Sequence, residues 1–159
     1  MSFLARTVRA MRPSMVRSYA TEAAATGLRL TFAVPHQTLF KDVAVGQVNI
    51  SAVSGDMGIL ASHVPSIEQL RPGIVEIIEN AGSKKFFVSG GFATMNPDSS
   101  LNINAVEAFP IEEFSVEAIR HNLAEAHRAV NSGATEEDKL SAKIEVEVLE
   151  ALQTALNTK

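Results

Sequence analysis

"GIVEIIENAGSKKFFVSGG", residues 73–91, is the stretch that determines the fold class of this chain. Two short runs rich in β-branched and aromatic residues flank Asn80–Ala81–Gly82–Ser83, a segment with the composition of a hairpin turn. Runs of this kind, separated by turn residues about every ten positions, are typical of a β-sandwich or barrel. Ser89–Gly90–Gly91 predicts a strand bend at which no Cβ atom fits.

Apolar residues alternate with polar ones on both sides of this hairpin, as expected for strands with one buried face. The alternating groups are Leu28, Leu30, Phe32 and Val34, then Val48 and Ile50, and finally Leu101, Ile103 and Ala105. Asn96–Pro97–Asp98 supplies a further turn signal. We therefore predict an all-β sandwich domain over residues 27–110.

The apolar period becomes helical in the C-terminal part of the chain. Ser115 and Gly133 bound one such segment as N-cap and stop, and Thr135 with Asp138 forms a capping pair for a second. The two apolar stripes are Val116, Ile119, Leu123, Ala126 and Val130, and Leu140, Ile144, Val148, Ala151, Leu152 and Ala155. The short link predicts an antiparallel α-helical hairpin over residues 113–158, packed against the sandwich or a partner.

The N-terminal segment differs from the rest in charge. Residues 1–21 contain four arginines and no acid, so removing them from the net charge of −4 leaves −8 for residues 22–159. A basic, acid-free amphipathic leader is typical of a mitochondrial transit peptide, which we predict over residues 1–22, the alternative being an ordinary basic tail. The acidic remainder argues against nucleic-acid binding, which depends on neutralising phosphates.

Few residues offer catalytic or metal chemistry. The chain has no cysteine, which excludes disulfides, thiolate metal sites and cysteine nucleophiles. No apolar run approaches the length of a membrane span. His121 and His127 lie six positions apart, which does not place them on one helix face as a metal pair. We therefore predict no catalytic residue, no metal site and no cofactor.

Residues 54–73, "SGDMGILASHVPSIEQLRPG", combine three glycines, two prolines and one histidine. Gly55 and Gly58 flank Asp56 and Met57, which predicts a tight loop with positive φ whose tip presents the latter two side chains to a partner. The alternative is an active site around His63. No motif of defined catalytic geometry surrounds this histidine, so the docking interpretation is favoured.

Two segments resemble a known family. They are "GDMGILASHVPSIEQLRPGIVEI", residues 55–77, and "FFVSGGFATMNPDSSLNINAVEAF", residues 86–109. Both are similar to the delta/epsilon subunits of the F-type ATP synthase central stalk, called epsilon in bacteria and delta in mitochondria. The similarity covers residues 28–158, and the arginine-rich leader favours the mitochondrial branch.

This resemblance implies a non-catalytic rotor subunit that transmits rotation during proton-driven ATP synthesis. Its implied partners are the gamma subunit, the small mitochondrial epsilon subunit and the c-ring, on the matrix side of the inner mitochondrial membrane. By position, Gly55, Asp56, Met57 and Gly58 would face the c-ring. His63 would lie near the contacts with gamma and the c-ring.

Two departures from the family pattern bear on the site. Ala61–Ser62 stands where the family often has Pro-Gly before the histidine. Some bacterial members bind ATP through an acid-x-x-Arg-Ala motif, of which this chain keeps Glu117 and Arg120 but has His121 for alanine. An i,i+3 surface ion pair between Glu117 and Arg120 explains that spacing equally well, and we favour this interpretation. The alternative function is therefore an ATP-sensing regulatory subunit whose hairpin changes conformation.

Overall fold

The structure, a computed structural model, describes residues 27–133 and 135–157. Ten strands are followed by a 3-10 turn at Ile111–Glu113 and by two helices. The strands are β1 Leu28–Val34, β2 Gln37–Val45, β3 Gln47–Ala52, β4 Gly55–Leu60, β5 Ser66–Leu70, β6 Gly73–Glu79, β7 Gly82–Val88, β8 Gly91–Met95, β9 Ser100–Ala105 and β10 Ala108–Pro110. The helices are α1 Val116–Ser132 and α2 Glu136–Asn157. The predicted fold class, an all-β sandwich followed by an antiparallel helical hairpin, is confirmed.

The strands form two layers that are joined at one strand, β3. The first layer runs β10-β7-β6-β3-β4 and the second runs β5-β8-β9-β1-β2. β3 pairs with β4 along its whole length, and on its other side it pairs first with β6 through residues 47–49 and then with β5 at Ala52. The layers are therefore continuous through backbone hydrogen bonds at β3.

The space between the layers is filled by the residues that the alternation predicted. Leu28, Leu30 and Phe32 of β1 are fully buried, as are Leu101 and Ile103 of β9, its parallel neighbour. The rings of Phe32, Phe40 and Phe86 stack on or meet edge to face with one another in the same cluster. Burial of these apolar side chains is the main stabilising contribution to the sandwich.

The hairpin and bend predicted from residues 73–91 are both present. Glu79 pairs with Gly82, so Asn80–Ala81 is the two-residue loop between β6 and β7. At the bend, a Cβ atom on Gly91 would lie 2.3 Å from the backbone oxygen of Asn104, and the φ of this glycine is +148°. Only glycine fits this position without displacing β9.

Both helices begin as their sequences predicted. The hydroxyl of Ser115 accepts a hydrogen bond from the backbone N–H of Ala118. Thr135 and Asp138 bond reciprocally, each backbone N–H donating to the other side chain at 3.1 Å. This arrangement satisfies two N–H groups that the first turn of α2 leaves without helical partners.

The hairpin packs on the outer face of the first layer and forms a second core there. Phe87 of β7 contacts the ring of Phe114 edge to face, and Ile119 of α1 and Leu152 of α2 are buried in the same cluster. The predicted α2 stripe is wrong in its first half, where Leu140 and Ile144 are 60% and 56% exposed and Ala142 is the buried residue. Ile144 borders an open groove, and the α2 residues that pack on the sheet all lie in the second half of the helix.

Candidate functional site

The stretch predicted to be a docking loop is a strand. Asp56 to Leu60 pair residue by residue with β3, and the turn consists of Val53 and Ser54. Gly55 follows this turn with a φ of +131°, whereas Gly58 does not have a positive φ. The predicted tip at Asp56–Met57 is therefore wrong, because β3 supplies backbone partners that this glycine-containing segment could not reveal by itself.

The strand pleat separates the two side chains that were expected to act together. Met57 points inward and packs against the sandwich core, beside Ile59, which is 1% exposed. Asp56 and Gly58, at alternate positions, lie on the outer face. Met57 is therefore half-buried against the core rather than at an exposed tip, it also lines an open depression, and its contact with a partner stays a prediction.

Asp56 is exposed, and an ion pair with Arg71 orients its carboxylate. Its Oδ1 accepts a hydrogen bond from Nη2 of Arg71 at 2.8 Å, and the side chains of Asp56 and Arg71 are 69% and 49% exposed. The hydrogen bond from Arg71 lowers the pKa of Asp56, a smaller bond from Ser51 acts in the same direction, and desolvation partly opposes both. Asp56 is thus an oriented carboxylate on an open surface.

Gly58 leaves room for a polar network on the same surface. Gln47 donates from Nε2 to Oδ1 of Asn49 at 2.6 Å, and a Cβ atom on Gly58 would lie 2.8 Å from that Nε2. Asn49 in turn donates to Glu76 at 2.9 Å, and Lys85 lies 4.0 Å from Glu76. We call the surface formed by Gln47, Asn49, Ser51, Asp56, Gly58, Glu76 and Lys85 the polar face. It borders an open depression of about 400 Å³.

His63 lies at the other end of β4. It belongs to the connection between β4 and β5, is half-buried, and its Nδ1 is 2.9 Å from the carbonyl oxygen of Val64, to which it donates when that nitrogen is protonated. Asp56 and Leu60 are four strand positions apart, about 13 Å at 3.3 Å per residue. Asp56 and His63 therefore lie at opposite ends of β4, and the partner contacts of the five predicted site residues stay a prediction. Among the described residues no carboxylate lies within ion-pair distance of the imidazole.

Two surface features were missed from the sequence. Arg29 pairs with Asp98 at 2.8 Å and with Asp42 at 3.3 Å, near Ser99, whose hydroxyl accepts the N–H of Ser62. The other feature is an apolar groove of about 610 Å³ between α2 and the second layer. Its exposed apolar side chains are Val53, Phe92, Val106 and Ile144. These groups are distant in sequence, so no local pattern indicates them.

The residues of the partial nucleotide motif on α1 are exposed to solvent. Glu117 and Arg120 are both exposed and, within residues 27–133 and 135–157, form no ion pair with each other. His121 instead lies 3.4 Å from Glu125. The predicted ion pair between Glu117 and Arg120 is wrong, and residual nucleotide binding stays a prediction.

Within residues 27–133 and 135–157, no group of three or more His, Asp or Glu side chains is placed to hold a metal ion. Neither α1 nor α2 is long and apolar enough to cross a membrane.

The sequence and the fold both match known proteins. Residues 27–111 match the family described as ATP synthase, Delta/Epsilon chain, beta-sandwich domain. The chain belongs to this family. Residues 114–154 match the fungal epsilon subunit of F1F0-ATP synthase, C-terminal domain. The resemblance carried by residues 55–77 and 86–109 is thereby confirmed.

Relatives of this delta/epsilon chain include mitochondrial ATP synthase delta subunits. The subunit of Agaricus bisporus is 60% identical over 129 residues, covering 81% of this chain and 80% of the relative. That of Saccharomyces cerevisiae is 56% identical over 141 residues, covering 88% of each. A chain in the cryo-EM structure of the Euglena gracilis mitochondrial ATP synthase, OSCP/F1/c-ring, superposes with a TM-score of 0.79 at 31% identity over 87% of each chain.

Proposed function

We propose that this chain is a non-catalytic central-stalk subunit that connects the gamma subunit to the c-ring of a mitochondrial F-type ATP synthase. The observation that carries the proposal is its likeness, over 87% of each chain, to a subunit in an assembly that includes F1 and the c-ring. The chain acts on the matrix side of the inner membrane as a peripheral subunit. Residues 1–22 direct its import.

The packing of the chain supports a role in transmitting rotation. The two layers are continuous through β3, and the hairpin is attached to the first layer by a core that includes Phe87, Ile119 and Leu152. Close packing of this kind resists deformation. A part that carries torque between gamma and the ring must keep its shape under load.

Two surfaces are available for the partners. The polar face, with Asp56 at one end, faces the polar loops of the c-ring, and Gly55 and Gly58 shape it. The apolar groove beside α2 has the composition of a surface that another protein covers, since contiguous exposed apolar patches are uncommon on isolated proteins. The gamma subunit and the small epsilon subunit are the partners available for such a surface. His63, at the far end of β4, serves a different contact from Asp56.

The proposal is tested by replacement in Saccharomyces cerevisiae, whose own delta subunit is removed. Full-length chain should restore respiratory growth, co-purify with the complex and restore ATP-driven proton pumping in membrane vesicles. A matched control carries Phe32→Asp, which places a charge in the core and prevents folding. If the chain is imported and folded but neither co-purifies nor restores pumping, the proposal is wrong.

The ATP-sensing alternative is separated by a binding measurement. Isolated full chain is titrated with ATP in the presence and absence of Mg²⁺, and Arg120→Gln is the control. Saturable binding that this substitution removes, together with a change in hairpin exposure, would establish the regulatory function instead. No specific contact of the described residues favours it.

A further inference from the structure

We infer that Arg71 is the positioning residue for docking through Asp56, and that the docking group is the ion pair rather than a bare carboxylate. This inference rests on the proposed function of the polar face. Arg71 lies fifteen residues from Asp56 in sequence, yet its Nη2 is 2.8 Å from Oδ1 of that residue. The pair forms across the end of the first layer, where β4 begins and the link from β5 to β6 passes.

The backbone of Arg71 is itself fixed. Its backbone N–H donates to the carbonyl oxygen of Ser51 at 3.1 Å. Two residues further on, Gly73 lies so close to the same serine that a Cβ atom on this glycine would be 2.8 Å from the Cβ atom of Ser51. Pro72 restricts the chain between these two points. The guanidinium therefore extends from an anchored position on a rigid segment and orients the carboxylate of Asp56.

Arg71 also lies where three surfaces meet. Besides binding the carboxylate at the polar face, it lines the apolar groove and a cleft of about 300 Å³ beside Ala151 and Ala155 of α2. The positive charge of Arg71 offsets the negative charge of the Asp56 carboxylate, so the pair attracts a second cation less strongly than a free carboxylate would. The pair therefore recognises neutral donors on the partner, amide or backbone N–H groups, in preference to lysine or arginine.

The experiment uses the full chain and the assembled complex. NMR titration of the Asp56 carboxyl carbon in the isolated chain reports the pKa, and retention of the chain on the purified complex during washing reports docking. The variants are Arg71→Gln, Arg71→Lys, Asp56→Asn and the double variant Arg71→Gln with Asp56→Asn. Arg128→Gln is the matched control, because the side chain of Arg128 is exposed and forms no ion pair with another described residue.

We expect Arg71→Gln to raise the pKa of Asp56 and to weaken retention by up to about fivefold, the range of an exposed ion pair. Arg71→Lys should recover part of both effects, and Arg71→Gln should have no further effect once Asp56 is Asn. Retention that depends weakly on salt supports neutral donors on the partner, and steep salt dependence overturns that specificity.

Comparing Asp56→Asn with Arg71→Gln separates docking through Asp56 from the positioning role of Arg71. If Asp56→Asn weakens retention but Arg71→Gln does not, docking through Asp56 stands and the positioning role of Arg71 is wrong. If Asp56→Asn leaves retention unchanged, docking through Asp56 is wrong and the inference falls with it.

Discussion

The attachment of the hairpin to the sandwich can be tested at Leu152. This side chain is 4% exposed and lies in the core formed with Phe87, Ile111 and Ile119. Leu152→Ala removes three carbon atoms, and at about 0.8 kcal/mol for each buried methylene the transfer loss is about 2.4 kcal/mol. The cavity left behind adds to this loss, and leucine-to-alanine changes in cores cost about 2–5 kcal/mol in all.

The surroundings of Leu152 place the expected cost in the lower half of that range. Ala151 and Ala155, on the same two turns of α2, line a cleft that is open to solvent. The helix can therefore shift toward the vacated space and recover part of the lost contact. We expect the free energy of unfolding to fall by about 2–3 kcal/mol.

The assay combines urea denaturation, followed by circular dichroism at a helical wavelength, with native-state hydrogen exchange. Ile144→Ala is the control on the same helix, because Ile144 is 56% exposed and should change stability by no more than about 0.5 kcal/mol. If the hairpin opens as a unit, α2 amides lose protection in Leu152→Ala while β1 and β9 amides keep theirs. Equal effects of the two substitutions would refute the docked arrangement of the hairpin.

Three further predictions concern the sandwich. Met57→Asp should lower the free energy of unfolding by about 1–3 kcal/mol in urea denaturation, because Met57 packs on the core. An unchanged denaturation midpoint would show that this side chain does not pack there. Gly55→Ala, where only φ is unfavourable, should cost about 1–3 kcal/mol, and Gly91→Ala should lower the thermal midpoint further because its Cβ atom also meets Asn104. Since Arg71 lowers the pKa of Asp56, the resulting stabilisation is present above the unfolded pKa, about 3.9, and is lost as the pH falls through the lower folded pKa. Urea midpoints of Asp56→Asn should therefore vary less with pH below about 4 than those of the unchanged chain, and identical profiles would contradict the pairing.

Local patterns were sufficient for the elements whose own residues specify them. The alternation of Leu28, Leu30 and Phe32 predicted a strand with one buried face, and the Thr135–Asp138 pair predicted the start of α2. In both cases the decisive contacts are a few residues apart or repeat along one element. The family could be recognised from residues 55–77 and 86–109 for a different reason, since those motifs combine turn glycines with strand residues in a specific order.

The candidate site could not be predicted in the same way. β4 contains two glycines, and its strand conformation depends on pairing with β3 rather than on its own propensity. Once the strand forms, its pleat places Met57 half-buried against the core instead of at the tip of a loop. The partnership of Asp56 with Arg71 and the groove beside Ile144 both depend on segments brought together by the fold.

The change of neighbours along β3 has a consequence for insertions and deletions. Residues 47–49 fix the register of β6 and Ala52 fixes that of β5, so one strand sets the alignment of both layers. A single residue inserted between these points would rotate the following side chains to the opposite face and displace the second layer by one position against the first. Changes of length are therefore tolerated at the Asn80–Ala81 turn, which ends one hairpin, and excluded from the six residues of β3, where they would misalign both layers at once.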